Sequence, residues 1–88
     1  MLGTSEIESM VIEYIRAVLN ARHDPVSISA QTPLVSSARF DSLDVVQLIL
    51  FLEEKFHLNF ADEPFDQYAF DTVEKIVDVV ERLLGADS

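Results

Sequence analysis

The sequence predicts an all-α domain of three main helices and one short helix, with a long loop between the first two helices. Apolar residues recur at helical spacing in three separate segments, capping patterns precede those segments, and no segment shows the alternation typical of a strand. The chain has 88 residues, of which 49% are hydrophobic, and this suffices for one small core. We therefore expect a single domain over residues 1–88, with its core between about residues 5 and 85.

The first helix is predicted over about residues 6–20. Ser5 and Glu8 have the spacing of a capping box. The apolar stripe of this helix consists of Ile7, Val11, Tyr14, Ile15 and Val18. The following segment, 21–40, contains prolines and repeated serines, which predicts a loop. Because so long a loop rarely lies free in a compact domain, we expect apolar residues to anchor it to the core, namely Val26, Ile28, Leu34 and Val35.

The second helix is predicted to begin near Ser42 and to end near Phe56, and it has two apolar faces. One stripe is predicted to face the core and consists of Val45, Leu48, Ile49, Leu52 and Phe56. A second stripe consists of Leu43, Val46 and Leu50, and its polar borders are Gln47, Glu53 and Glu54. Since a helix in a small bundle has one core to face, the second stripe predicts a docking surface. The alternative, that the long loop covers this stripe, stays open from the sequence alone.

The last helix is predicted to begin after Asp71 or Thr72. Asp71 and Glu74 have capping spacing, and Gly85 lies where a helix-ending glycine is expected. Its apolar stripe consists of Val73, Ile76, Val77, Val80 and Leu84.

The region between the second and last helices has room for one brief helix at most. Pro64 and neighbouring carboxylates predict that the segment 62–68 is the most mobile part of the bundle. Three aromatic residues are expected to anchor this region in the core: Phe60, Phe65 and Phe70.

The net charge of −10 excludes several classes of partner. A nucleic-acid binder neutralises phosphates with Lys and Arg, and an anionic membrane surface attracts the same residues. Residues 41–78 hold ten acidic and only two basic residues, so the acidity belongs to the second half of the chain. With no cysteine, no basic leader segment and no apolar run of about 20 residues, we expect a cytoplasmic protein without membrane insertion. We also expect a monomer.

Ser42 stands at the predicted start of the second helix, beside Asp41. In one interpretation Ser42 is simply a helix cap. If Asp41 is the cap, however, the Ser42 hydroxyl is free at a helix N-terminus, which accommodates an attached phosphate. A catalytic serine needs an oriented base, and the only histidines, His23 and His57, are not placed to supply one. We therefore predict no catalytic residue and, since the acids near residue 63 lack calcium-loop spacing, no metal site.

The quartet Asp41-Ser42-Leu43-Asp44 opens the helix "DSLDVVQLILFLEEKF". This stretch resembles the attachment motif of acyl carrier proteins, in which Asp-Ser-Leu begins such a helix. The likeness extends over nearly the whole chain, through "TPL" before the motif and "DTVEKIVDVV" in the last helix. The resemblance implies a small four-helix bundle of acyl-carrier type, with three main helices and one short helix. It implies that Ser42 carries covalent 4′-phosphopantetheine and that Asp41 supports its transfer with magnesium. It also implies a partner-binding surface made of Leu43, Asp44, Val46, Gln47, Leu50, Glu53 and Glu54.

A carrier of this kind tethers an acyl, aminoacyl or polyketide intermediate as a thioester. The implied partners are a phosphopantetheinyl transferase and acyl- or aminoacyl-loading ligases, synthases or transferases with basic patches. The chain departs from the family pattern at the glycine expected before the Asp-Ser pair, and at Phe40, Gln47 and Phe51. These departures favour a specialised carrier over a housekeeping role in fatty acid synthesis. The main alternative is an acidic helical adaptor without a prosthetic group, and a hydrolase using Ser42 is a third.

Overall fold

The computed structural model describes residues 3–24, 27–61 and 66–86. Within them the helices are α1 (Thr4–Ala21), α2 (Ser42–Phe56), a 3₁₀ helix (Gln67–Phe70) and α3 (Val73–Ala86), and no strand is present. The all-α prediction is confirmed, and α2 has the predicted bounds. None of the described helices combines the length and the apolar character needed to cross a membrane.

Each long helix contributes one face to a single hydrophobic core. The fully or nearly fully buried residues of the three helices are Ile7, Val11, Ile15 and Leu19 of α1, Val45, Leu48, Leu52 and Phe56 of α2, and Val73, Ile76, Val77 and Val80 of α3. Tyr14, Val18, Ile49 and Leu84, predicted as core residues, are only partly buried at its margin. The α1 helix packs chiefly against α3, so that α2 and the connections close the other side of the core.

The connection from α1 to α2 is packed down onto the bundle, as its length predicted. Ile28, Leu34 and Phe40 are buried and Val35 is partly buried, whereas Val26 lies outside the described residues. After α2, the rings of Phe60 and Phe70 are buried with their centroids 6.2 Å apart, which confirms both as core anchors. Phe65 and most of the segment predicted to be mobile lie outside the described residues.

Asp71, at the end of the 3₁₀ helix, binds the long connection. Its Oδ1 accepts hydrogen bonds from the backbone N–H groups of Leu34 (3.1 Å), Val35 (2.7 Å) and Ser36 (2.8 Å), and its Oδ2 accepts one from the Ser36 hydroxyl. The backbone carbonyl of Asp71 accepts a further bond from the Leu34 N–H, at 2.7 Å. Partial burial opposes the charged form, but these hydrogen bonds outweigh it and hold the pKa of Asp71 below its usual value. One carboxylate therefore fixes the connection against the start of α3.

The last helix begins at Val73, directly after Thr72 as predicted, but two predicted caps and one predicted helix end are wrong. The α1 helix is capped by Gly3, whose carbonyl accepts from Glu6 and Ile7, so Ser5 lies inside the helix and its predicted capping box with Glu8 does not form. At α3 the Thr72 hydroxyl accepts the Lys75 N–H at 3.2 Å, because the Asp71 carboxylate predicted for the cap is engaged by the connection. Gly85 does not end α3: the helix continues through it to Ala86, and no described glycine has a positive φ.

Ala38 adopts a left-handed backbone conformation, with φ of 65°. Its N–H donates to the Val35 carbonyl, and the next two N–H groups, of Arg39 and Phe40, both donate to the Leu34 carbonyl. This turn leads the chain into α2. A side chain with a Cβ is strained in the left-handed region, which glycine occupies without strain.

Ala38→Gly is expected to raise the free energy of unfolding by about 0.5–1 kcal/mol. The relief of about 1–2 kcal/mol of left-handed strain exceeds the roughly 0.5–1 kcal/mol that glycine's extra chain entropy costs. Urea denaturation measures the change. Ala17→Gly, at an exposed position inside α1, is the matched control and should lower stability by about 1 kcal/mol. Equal losses in both variants would show that Ala38 is unstrained.

Candidate functional site

Ser42 is the first residue of α2, and Asp41 caps the helix. The Asp41 backbone is extended, its carboxylate accepts the Asp44 N–H at 2.9 Å, and the Asp44 carboxylate accepts the Asp41 N–H at 3.0 Å. This reciprocal capping box bonds the N–H groups of Asp41 and Asp44 without the serine. Ser42 is exposed, and its hydroxyl makes no hydrogen bond to any part of the chain that the structure describes. The prediction that Asp41 caps α2 is confirmed, and the hydroxyl is free for chemistry.

An arginine from the end of α1 reaches the first turn of α2. Arg22 pairs with Asp44 through the two terminal nitrogens of its guanidinium group, with Nη1 3.0 Å from Oδ2 and Nη2 in close contact with Oδ1. Nη1 also lies 3.2 Å from the Arg39 carbonyl oxygen, and the guanidinium carbon is 5.7 Å from the centroid of the Phe40 ring. Sequence reasoning missed Arg22, because the two partners of the pair are 22 residues apart and no local spacing links them.

The electrostatics of the pair follow from this geometry. The Arg22 guanidinium, through its hydrogen bonds, holds the pKa of Asp44 below its usual value, and Asp44 in turn raises the pKa of Arg22. Tyr14 lies close enough to respond: burial first, and the Asp44 charge second, raise the pKa of its phenol. The Asp44 carboxylate is thus partly shielded from solvent by this pair, with 11% of its side-chain surface exposed.

The second apolar stripe of α2 is exposed to solvent. Leu43 is 63%, Val46 42% and Leu50 58% exposed, so the alternative that the connection covers this stripe is wrong. Gln47 and Glu54 are exposed beside it. Glu53, on the other border, is half-buried, and its carboxylate accepts the Phe60 N–H at 2.9 Å. The structure therefore groups Leu43, Val46, Gln47, Leu50 and Glu54 on one open face, which we call the docking face, and gives Asp44 and Glu53 internal contacts.

The flank of α2 that faces α1 explains the unusual Phe51. Its ring stacks on Tyr14 of α1, with centroids 4.3 Å apart and planes 23° from parallel. Met10, Glu13 and Lys55 complete an open groove of about 240 Å³ around the two rings. A stacked aromatic pair stabilises the contact of α1 with α2 beyond its buried area. Phe51 thus supplies packing between helices where a smaller residue would leave the flank open.

Comparison with known proteins places this chain in a family. Residues 10–80 match the family model described as phosphopantetheine attachment site. The chain is 32% identical to the acyl carrier protein of Wolinella succinogenes over 76 residues, covering 86% of this chain and 90% of that protein. The chain belongs to the acyl carrier protein family. It is also 26% identical to the acyl carrier protein of Campylobacter concisus over 78 residues (89% and 91% of the two chains). With that of Coprothermobacter proteolyticus it shares 39% identity over 57 residues (65% and 67%). No solved structure matches the chain.

Membership in the acyl carrier protein family decides between the functions that the sequence left open. The protein is a non-catalytic carrier with a covalently attached 4′-phosphopantetheine group. The adaptor without a prosthetic group and the hydrolase are therefore both set aside. The family match covers 10–80 as a whole, and within that range the capping box and the free hydroxyl are found at the start of α2.

Proposed function

We propose that this carrier protein holds its phosphopantetheine arm on Ser42 and presents an acyl, aminoacyl or polyketide intermediate, bound to the arm as a thioester, to partner enzymes. The observation that carries the proposal is the exposed Ser42 hydroxyl, free of internal hydrogen bonds at the first residue of α2. The unused N–H groups at a helix N-terminus favour an attached phosphate, and Asp41 already supplies the cap. The residues present therefore fit a phosphodiester.

Asp41 is proposed to support the transfer reaction. One of its carboxylate oxygens accepts the Asp44 N–H, and its other oxygen accepts no hydrogen bond from the described residues. The carboxylate is exposed next to Ser42. A hard cation such as magnesium prefers carboxylate oxygens, so the free oxygen can take part in binding the magnesium that a phosphopantetheinyl transferase uses.

The docking face is proposed to bind the partner enzymes. Its three exposed apolar side chains offer buried contact area to a partner, and Glu54 offers a charge to a basic patch. The transferase and the loading ligases, synthases or transferases are the expected partners. Glu53 and Asp44 belong to the border of this face, but their carboxylates also hold internal bonds, so changing either one alters the carrier itself.

The pathway is proposed to be a specialised one. Phe40 is fully buried and Phe51 stacks on Tyr14, so two departures from the family pattern have structural roles in this chain. An uncharged Gln47 on the docking face is the third and changes what a partner meets. These features support a carrier for a particular biosynthetic set of enzymes, and we further propose that it acts in the cytoplasm as a monomer.

Ser42→Ala tests the attachment directly. The purified protein is incubated with coenzyme A, magnesium and a broad-specificity phosphopantetheinyl transferase, and its intact mass is measured. The wild type should gain the mass of one phosphopantetheinyl group, and Ser42→Ala should gain none. Ser9→Ala, which removes an exposed serine from α1, is the control and should be modified at the wild-type rate. Modification of the Ser42→Ala variant would show that the attachment site is another residue.

A further inference from the structure

The ion pair between the end of α1 and the first turn of α2 lies beside the attachment serine. We propose that Arg22 is a positioning residue for the attachment reaction: its paired contact with Asp44 fixes the first turn of α2 and so determines how rapidly Ser42 is modified. This inference rests on the proposed attachment at Ser42. It assigns a role in the reaction to a residue that contacts neither the serine nor the docking face.

A shared oxygen connects Arg22 to the residue before the serine. Asp44 Oδ2 accepts both from Arg22 Nη1 and from the Asp41 N–H, each at 3.0 Å. The guanidinium therefore holds the acceptor on which the Asp41 backbone depends. Charge-assisted pairs of this kind, with two parallel N–H···O bonds, fix orientation as well as distance. Since Ser42 follows Asp41 directly, the direction of its Cα–Cβ bond is set by the same contacts.

Arg22 also holds the chain on the other side of the cap. Nη1 lies 3.2 Å from the carbonyl oxygen of Arg39, and the guanidinium lies over the Phe40 ring, which is only 2% exposed. One side chain thus contacts the backbone before the cap and the carboxylate after the serine. Contacts on both sides of Ser42 therefore hold its turn against the residue that follows α1.

The pair also changes the role of Asp44. The resemblance implies that this acid contacts partners, but its side chain is only 11% exposed and its charge is balanced by Arg22. Its lowered pKa agrees with a carboxylate that stays ionised inside the pair. Asp44 therefore acts on partners through the position of the serine, while Glu54 remains the exposed carboxylate beside the docking face.

Steady-state kinetics of the transferase test this role. The carrier concentration is varied with coenzyme A and magnesium at saturation, and mass gain is followed for the wild type, Arg22→Gln and Arg22→Lys. Arg22→Gln should lower kcat by about 3- to 30-fold, since a misplacement of about 1 Å can cost 10²-fold. KM for the carrier should stay within about twofold, because the docking face is unchanged. Arg22→Lys should restore part of kcat, since lysine supplies the charge without the planar pair of donors.

Arg16→Gln is the matched control, because it removes an exposed arginine from α1, the helix that Arg22 directly follows. It should leave both constants unchanged. Asp44→Asn should lower kcat as Arg22→Gln does, and the double variant should be no slower than the slower single variant, since both changes break the same contact. Any of three results would overturn the proposal: a wild-type kcat for Arg22→Gln, a rise in KM with kcat unchanged, or additive losses of kcat in the double variant. A wild type that is not modified at all would instead refute the attachment at Ser42.

Discussion

Leu52→Ala is expected to lower the free energy of unfolding by about 2–5 kcal/mol, whereas Leu50→Ala is expected to change it by less than about 0.5 kcal/mol. The two leucines are two positions apart in α2, but Leu52 is completely buried and Leu50 is 58% exposed. Truncating Leu52 removes apolar contacts from the core and leaves a cavity. Truncating Leu50 leaves no cavity, because solvent already contacts that side chain. Urea denaturation of the two variants and the wild type gives the comparison.

The same pair of variants separates stability from binding. Leu50→Ala should speed dissociation from a partner enzyme, because the side chain would lose contact area that is buried in the complex. Leu52→Ala should leave the dissociation rate unchanged at a temperature where the variant is folded. An equal loss of stability in both variants would contradict the exposure of the second stripe. Unchanged dissociation of Leu50→Ala would place the partner on another face.

Asp71→Ala is expected to lower the free energy of unfolding by about 2–4 kcal/mol, since a hydrogen bond to a charged acceptor contributes about 1.5–3 kcal/mol net and water can replace the exposed bonds of this set. Three backbone N–H groups and the Ser36 hydroxyl lose their acceptor together. Asp71→Asn should lose less, because the amide oxygen can still accept from the backbone. Asp78→Ala, at an exposed position of α3, removes the same charge and should be close to neutral. A comparable loss in Asp78→Ala would attribute the effect to net charge.

The stabilisation from Asp71 should depend on pH. Its folded pKa lies below the unfolded value of 3.8, so the folded state binds its proton less readily than the unfolded state. The contribution is therefore fully present above the unfolded pKa and is lost as pH falls through the lower folded pKa. The difference in stability between the wild type and Asp71→Asn should be constant near neutral pH and should shrink below about pH 4. A difference that grows with acidification would contradict the lowered pKa.

The sequence predicts those parts of this fold that depend on neighbours within one or two helical turns. The start of α2 is an example, because Asp41 and Asp44 form their capping box within a single turn. The two stripes of α2 were separable for the same reason: helical periodicity alone assigns Leu50 and Leu52 to different faces. The caps predicted for α1 and α3 were wrong because Ser5 and Asp71 fit a capping pattern in the sequence, whereas in the structure Gly3 precedes α1 and the Thr72 hydroxyl accepts at the start of α3.

The contacts that sequence reasoning missed join residues far apart in the chain. Asp71 binds a segment 35–37 residues away, and Arg22 binds an acid 22 residues away. Either contact depends on how the helices come together, and a local pattern cannot encode that. The candidate serine was found because its signal is local. The arginine that we propose positions it has only a tertiary signal.

The stacking of Tyr14 on Phe51 gives this protein a built-in optical reporter. The chain contains two tyrosines and no tryptophan, so its near-ultraviolet absorption and emission are dominated by Tyr14 and by Tyr68, which is 56% exposed. Because burial raises the pKa of Tyr14, its phenolate absorbance should develop at a higher pH in the folded protein than in urea. A spectrophotometric titration without any attached dye therefore follows the contact of α1 with α2.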